Sequence, residues 1–180
     1  MVHRLFIALE LPDSIRETLA GIGPPMRRVR WLLPDQMHLT LAFLGDVDAE
    51  AQAALETKLA EIRVASFVIP ITGIGTFGHS HPKVIWAGVG HGHPHLFALH
   101  KKVLDAALAA GLPTELRAFH PHITIARADG ASRASLKPFL KKHADTEFGM
   151  ARMDHFTLFS SQLLSGGARY RIENRWALAD

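Results

Sequence analysis

His38-Leu39-Thr40-Leu41 and His122-Ile123-Thr124-Ile125 are one pattern written twice, each inside an apolar run that reads as a β-strand. Side chains alternate between the two faces of a strand, so His and Thr at i and i+2 point one way while the apolar pair points into a core. Two copies by accident is on the order of a one-in-a-hundred event, even in a chain with 12 His. If the two strands meet, two imidazoles and two hydroxyls surround one space, an arrangement that suits acid–base chemistry on a phosphate.

Around each copy the spacing predicts the same surroundings. Before residue 64 the order is a strand from His3 to Glu10, a helix opened by Pro12, the motif strand His38–Leu44 ending at Gly45, and a second helix. Ser14 and Glu17 stand at capping-box spacing in the first helix. Asp48 is the N-cap of the second, Ala49–Arg63, with Ala53, Leu55, Leu59 and Ile62 as its apolar stripe. Two strands follow, Phe67–Ile71 and Lys83–Val89, separated by a Gly-rich turn. Then helix, motif strand and helix recur as Pro94–Ala110, His122–Ala126 and Ser132–His143, and two strands, Met153–Ser160 and Arg169–Leu178, close the chain through a Gly166-Gly167 hairpin. The expectation is an α+β fold of two pseudo-symmetric lobes, each lending a motif strand to a shared cleft, in a single domain spanning 1–180.

Composition sets limits. A chain of 180 residues, 48% hydrophobic and 21% charged, is expected to build one core and is not disordered. No apolar run reaches membrane-spanning length, and the N-terminus enters a strand rather than a signal peptide, so cytoplasmic is the default location. The absence of Cys removes thiolate chemistry and Cys-based zinc sites. A net charge of +3 favours an anionic substrate mildly. Monomer is the default assembly.

An imidazole titrates near neutrality, with an ordinary pKa of about 6.5, so one copy can accept a proton while the other donates one. A Thr hydroxyl bonds a phosphoryl oxygen without adding negative charge. Arg127, just beyond the second motif, suits a bidentate grip on phosphate as well as it suits the solvated surface. His120 shares a strand face with His122 but lacks the following Thr, and reads as a packing residue or as a support behind the site. Phe77 and Phe43 are the candidates to stack a nucleobase. The three Trp read as core or partly buried. Arg169 and Arg171 are the preferred residues for an RNA backbone route. Gly73 to Gly78 spells the dinucleotide fingerprint but precedes a strand rather than a helix, which excludes that reading. His79, His81, His91, His93 and His95 cluster in turns with no acidic or Cys partner, so neither a functional metal nor a cofactor is expected.

At these residues the chain resembles the two-histidine phosphoesterases, in particular the RNA 2′,3′-cyclic phosphodiesterases, also called 2′-5′ RNA ligases. Arg4 through Leu9, His38 through Gly45, Trp86-Ala87-Gly88, Phe119 through Arg127 and Tyr170 all look like that family's pattern, in its order. The resemblance implies antiparallel sheets with a catalytic cleft between them. It also implies opening of a terminal ribose 2′,3′-cyclic phosphate to a 2′-phosphate without a metal, with 2′-5′ ligation as the reverse reaction. His38 and His122 then carry acid–base roles, Thr40, Thr124 and Arg127 hold the phosphate, and Tyr170 joins the candidates for substrate contact. The direction expected is His122 activating water and protonated His38 donating to the departing O3′. The implied partners are RNA ends or nucleotides that bear the cyclic phosphate. Three other readings stand beside this one: the same chemistry on small nucleotides or on ADP-ribose cyclic phosphate, a non-catalytic RNA-end-binding protein, and a His-rich metal-binding module.

Overall fold

Why the two motifs meet follows from strand pairing. The computed structural model describes residues 2–115 and 117–180. Its strands are β1 (Val2–Glu10), β2 (Val29–Trp31), β3 (His38–Asp48), β4 (Phe67–Phe77), β5 (Val84–Gly88), β6 (His122–Ala128), β7 (Glu147–Met153), β8 (His155–Leu164) and β9 (Gly167–Ala177). They join edge to edge in the order β7-β4-β5-β6-β3-β1-β8-β9, with β2 added to β6 and every named strand pair antiparallel. Four helices accompany them: α1 (Asp13–Gly21), α2 (Ala49–Ala60), α3 (Pro94–Ala109) and α4 (Arg133–Lys142).

The sheet divides at its middle into β3-β1-β8-β9 and β6-β5-β4-β7, and the strand pairing between the halves rests on one residue pair, Leu39 with Ile123. These are the apolar second residues of the two motifs, so the pseudo-symmetric join passes through the repeat itself. The α+β class and paired lobes match expectation, but each lobe is not one half of the chain. β8 and β9 return from the C-terminus to extend β1, while α1 packs against β7 of the other lobe.

Leu39, Leu41, Ile123 and Ile125 are at most 3% exposed and belong to one core with Leu55, Leu59, Leu96, Leu99 and Val103 of the helices. On the opposite face of the first lobe Phe6, Ala8 and Phe159 form a second, smaller apolar cluster with Tyr170.

Several boundaries differ from the sequence reading. β3 does not stop at Gly45: with φ of +70°, Gly45 sits in a bulge and the strand runs on to Asp48. The expected Gly-rich turn is strand as far as Phe77, with Gly73 at φ of +74° beside another bulge. β2 and β7 were not expected, and the predicted strand from Met153 begins instead at His155. Ser14 does not cap α1; the Pro12 carbonyl accepts from the amides of Ile15 and Arg16, both at 3.1 Å. Asp48 does cap α2, accepting from the Ala51 amide at 2.9 Å, but the helix ends at Ala60 and Ala53 lies exposed rather than in the stripe. Ser132 caps α4 through the Ser135 amide.

Candidate active site

His38, Thr40, His122 and Thr124 are all partly buried on the cleft face, between fully buried apolar neighbours. With Leu39 opposite Ile123, the antiparallel register sets His38 across from Thr124 and Thr40 across from His122. The two histidines are then diagonal neighbours, about 7–8 Å apart at the backbone.

The symmetry extends one strand outward on each side. Thr40 pairs with Ala8 and Thr124 with Trp86; His38 pairs with Glu10 and His122 with Gly88. Immediately after each Thr the register slips by one residue, so that Leu41 and Ala42, and likewise Ile125 and Ala126, turn consecutively into the core. Strict alternation would send the fifth residue after each His inward. The paired bulges send it into the cleft instead, and those residues are Arg127 and Phe43, both exposed. Arg127 is therefore part of β6 rather than beyond it, and no carboxylate pairs with it among the described residues. The hydroxyls of Thr40 and Thr124 also have no hydrogen-bond partner among the described residues.

Each imidazole sits in its own aromatic frame. His38 lies 4.8 Å from Phe6, 5.2 Å from Tyr170 and 6.0 Å from Phe159, measured between ring centroids. His122 meets the Phe77 ring edge-on at 4.7 Å, and Phe77 in turn packs on Trp86 and His120. Phe77 is thus a strand residue walling His122, not the loop aromatic expected. Phe43 stands free at 57% exposure beside Phe6. The three Trp are partly buried, and Arg169 and Arg171 lie exposed on β9.

The two histidines differ electrically. Burial, reinforced by the positive charge of His122 and Arg127, pushes His38 down to about 4, with Glu10 acting the other way. Burial also lowers His122, opposed by the hydrogen bond from its Nδ1 to the His120 carbonyl at 2.7 Å. A carbonyl only accepts, so Nδ1 carries the proton and Nε2 of the neutral ring keeps its lone pair. His120 thus supports the site, one of its two expected roles, through its backbone carbonyl.

Sequence reasoning missed Glu10. Burial alone would raise its carboxyl, but hydrogen bonds from Arg175, Thr157 and His155 outweigh that and hold it at about 2. Arg175 grips both oxygens, at 2.7 and 2.8 Å, and Thr157 and His155 add bonds of 2.7 and 3.0 Å. The signal lay in its strand position opposite His38, which only the register reveals. The clustered histidines do not converge: no group of three or more potential metal ligands occurs among the described residues, and His93 instead caps α3.

Two histidines on paired strands, with two hydroxyls and a guanidinium that have no partner among the described residues, are groups able to exchange protons with, and donate hydrogen bonds to, a phosphodiester. The 2′-5′ RNA ligase superfamily model matches residues 12–163, and the chain belongs to that family. Its relatives include the RNA 2′,3′-cyclic phosphodiesterase of Escherichia coli K12, 35% identical over 98% of this chain and 97% of that one. The Aquifex aeolicus protein of the same name is 36% identical over 98% of each. Among solved structures, E. coli LigT complexed with 3′-AMP superimposes with a TM-score of 0.85 at 33% identity, covering all of both chains.

Proposed function

We propose that this chain, read as a single domain, is an RNA 2′,3′-cyclic phosphodiesterase that opens a terminal cyclic phosphate to a 2′-phosphate by two-histidine catalysis. The observation that carries the reading is the diagonal placement of His38 and His122 across the Leu39–Ile123 pair, with hydroxyls and Arg127 between and beside them. In-line displacement needs a base near the entering oxygen, an acid near the leaving one and donors around the developing charge.

His122 is the base: its Nδ1–H is committed to the His120 carbonyl, which leaves Nε2 to take a proton from water. His38 is the acid. Its low pKa makes the imidazolium a strong donor to O3′ but leaves it scarce in the empty site, and the negative charge of a bound phosphodiester raises it. Glu10, opposite on β1, works in the same direction. Thr40, Thr124 and Arg127 hold phosphoryl oxygens, while Phe43, Phe77 and Tyr170 border the nucleoside. Metal-independence, a cytoplasmic location and a monomeric state belong to the same proposal; no described helix is long and apolar enough to cross a membrane.

The test is an oligoribonucleotide ending in a 2′,3′-cyclic phosphate, incubated with protein and chelator. Conversion to a 2′-phosphate by the wild type, and by neither His38→Ala nor His122→Ala, is the expected result. Binding without conversion would make the cleft a recognition site instead.

A further inference from the structure

Arg127 faces a second arginine. β5 occupies one edge of β6 along its length, so β2 and β3 share the other, with the Leu32 amide donating to the Ile125 carbonyl at 2.9 Å between them. On this broken line Arg30 of β2 stands directly opposite Arg127, and His38 of β3 opposite Thr124. The neighbours Val29 and Trp31 pack against the core, so alternation turns Arg30 to the cleft face, where it is exposed. Like charges directly opposite on paired strands are destabilising. Yet neither guanidinium has an ion-pair partner among the described residues.

The Arg30 side chain also reaches the other lobe. At Gly167, where φ is +118°, an added Cβ would stand 3.0 Å from its Nη1. Gln36 ties down the same hairpin, donating from Nε2 to the Ala168 carbonyl at 3.0 Å. Burial raises the Tyr170 phenol, the charges of Arg127 and Arg30 oppose that rise, and exposed Asp35 adds to it. Arg30 therefore sits where β2, the β8–β9 hairpin and Tyr170 come together, beyond His38 on the edge of β6. Arg169 and Arg171, expected to carry RNA backbone, flank Tyr170 on β9 and so point to the opposite face.

We propose that Arg30 binds the phosphate joining the terminal nucleotide to the rest of an RNA strand, a second phosphate site beside the reacting one. The inference rests on the phosphodiesterase reading with His38 as the acid. When His38 protonates O3′, the ribose lies on the His38 and Tyr170 side of phosphorus, and so does the 5′-carbon that carries the chain. A phosphate on that carbon supplies the anion that the Arg30–Arg127 pair lacks, and a guanidinium can grip it bidentately. With Arg127 on the reacting phosphate, the two arginines take successive phosphates of one strand. The substrate class they select is an oligonucleotide end over a lone cyclic nucleotide.

The experiment compares cytidine 2′,3′-cyclic phosphate with the same nucleotide bearing a 5′-phosphate, each followed to its 2′-phosphate by chromatography. In the wild type the 5′-phosphate should raise kcat/KM by about tenfold or more, through KM rather than kcat. Arg30→Gln should bring that ratio down to about twofold or less, and Arg30→Lys should keep part of it as a point charge. A 5′-phosphate without advantage in the wild type, or an advantage that survives Arg30→Gln, would overturn the second site. Equal losses on both substrates in Arg30→Gln would put Arg30 on the reacting phosphate and overturn it as well. No opening of either nucleotide by the wild type would overturn the phosphodiesterase reading itself.

Discussion

At the scale of single residues, the two histidines share a motif but not an environment, and that difference sets a pH profile. With His38 as the proposed acid and His122 as the proposed base, catalysis requires His38 protonated and His122 neutral. In the free enzyme His38 holds its proton only near and below about 4, whereas His122 sheds its proton somewhat below its ordinary 6.5. The active form is therefore the minor protonation state, and kcat/KM should peak on the acid side of neutrality. From pH 6.5 to 8 it should fall about tenfold per unit. The kcat profile should lie further to the alkaline side, because bound phosphate raises His38. His38→Ala should remove the falling limb and His122→Ala the rising one, each at a cost of about 10²–10⁴ in kcat. Profiles that keep the falling limb without His38 would reverse the assignment. The residue types and the i, i+2 spacing were legible in the sequence. The electrical difference was not, because it comes from the burial of His38 within an aromatic frame that includes Tyr170, 132 residues downstream, and from the His120 carbonyl that opposes the effect of burial on His122.

At the scale of elements, the paired bulges are the device that turns a repeated strand into an asymmetric site. Arg127 and Phe43 occupy equivalent positions, five residues after each His, and both reach the cleft only because the register slips after the Thr. A strict period of two predicts the wrong face for both, which is why alternation alone could not place Arg127. One lobe thereby offers a guanidinium and the other an aromatic ring. Arg127→Lys should still raise KM for a cyclic-phosphate nucleotide, since an ammonium cannot reproduce a bidentate grip, with a loss of about 1.5–3 kcal/mol in kcat/KM. Phe43→Ala should act on KM more than kcat, by about 1–3 kcal/mol if the base stacks on it. A Phe43→Ala enzyme with unchanged KM for every base would remove that residue from the binding surface. Helix capping was half legible: Asp48 sits where expected, so Asp48→Ala should lower stability by about 1 kcal/mol in chemical denaturation. Ser14 was misplaced because Pro12, with its own carbonyl as acceptor, already starts α1.

At the scale of the whole molecule, the lobes are interleaved in sequence, and that interleaving is what makes Glu10 a keystone of the first lobe. Glu10 comes from β1, Thr157 and His155 from β8, and Arg175 from β9, so one carboxylate ties the N-terminal strand to the C-terminal hairpin. No reading of local periodicity reaches across 165 residues, and the lobes could be foreseen only as a repeat, not as a swap. The carboxyl is held at about 2 against an ordinary 4.5, a depressed value, so its contribution to stability is complete above 4.5 and is lost as pH falls towards 2. With the side chain only 22% exposed, that contribution is about 1–3 kcal/mol. Glu10→Gln should therefore lower the urea midpoint at pH 7 and flatten the decline in stability between pH 5 and 2 that the wild type shows. Arg175→Gln should do the same, because it removes the bidentate partner while leaving the carboxylate in place. An acid limb unchanged in both variants would mean that the C-terminal hairpin is held to β1 by the β1–β8 ladder and the apolar contacts of Phe6 and Phe159, and that the carboxylate beside His38 is kept for the cleft rather than for the fold.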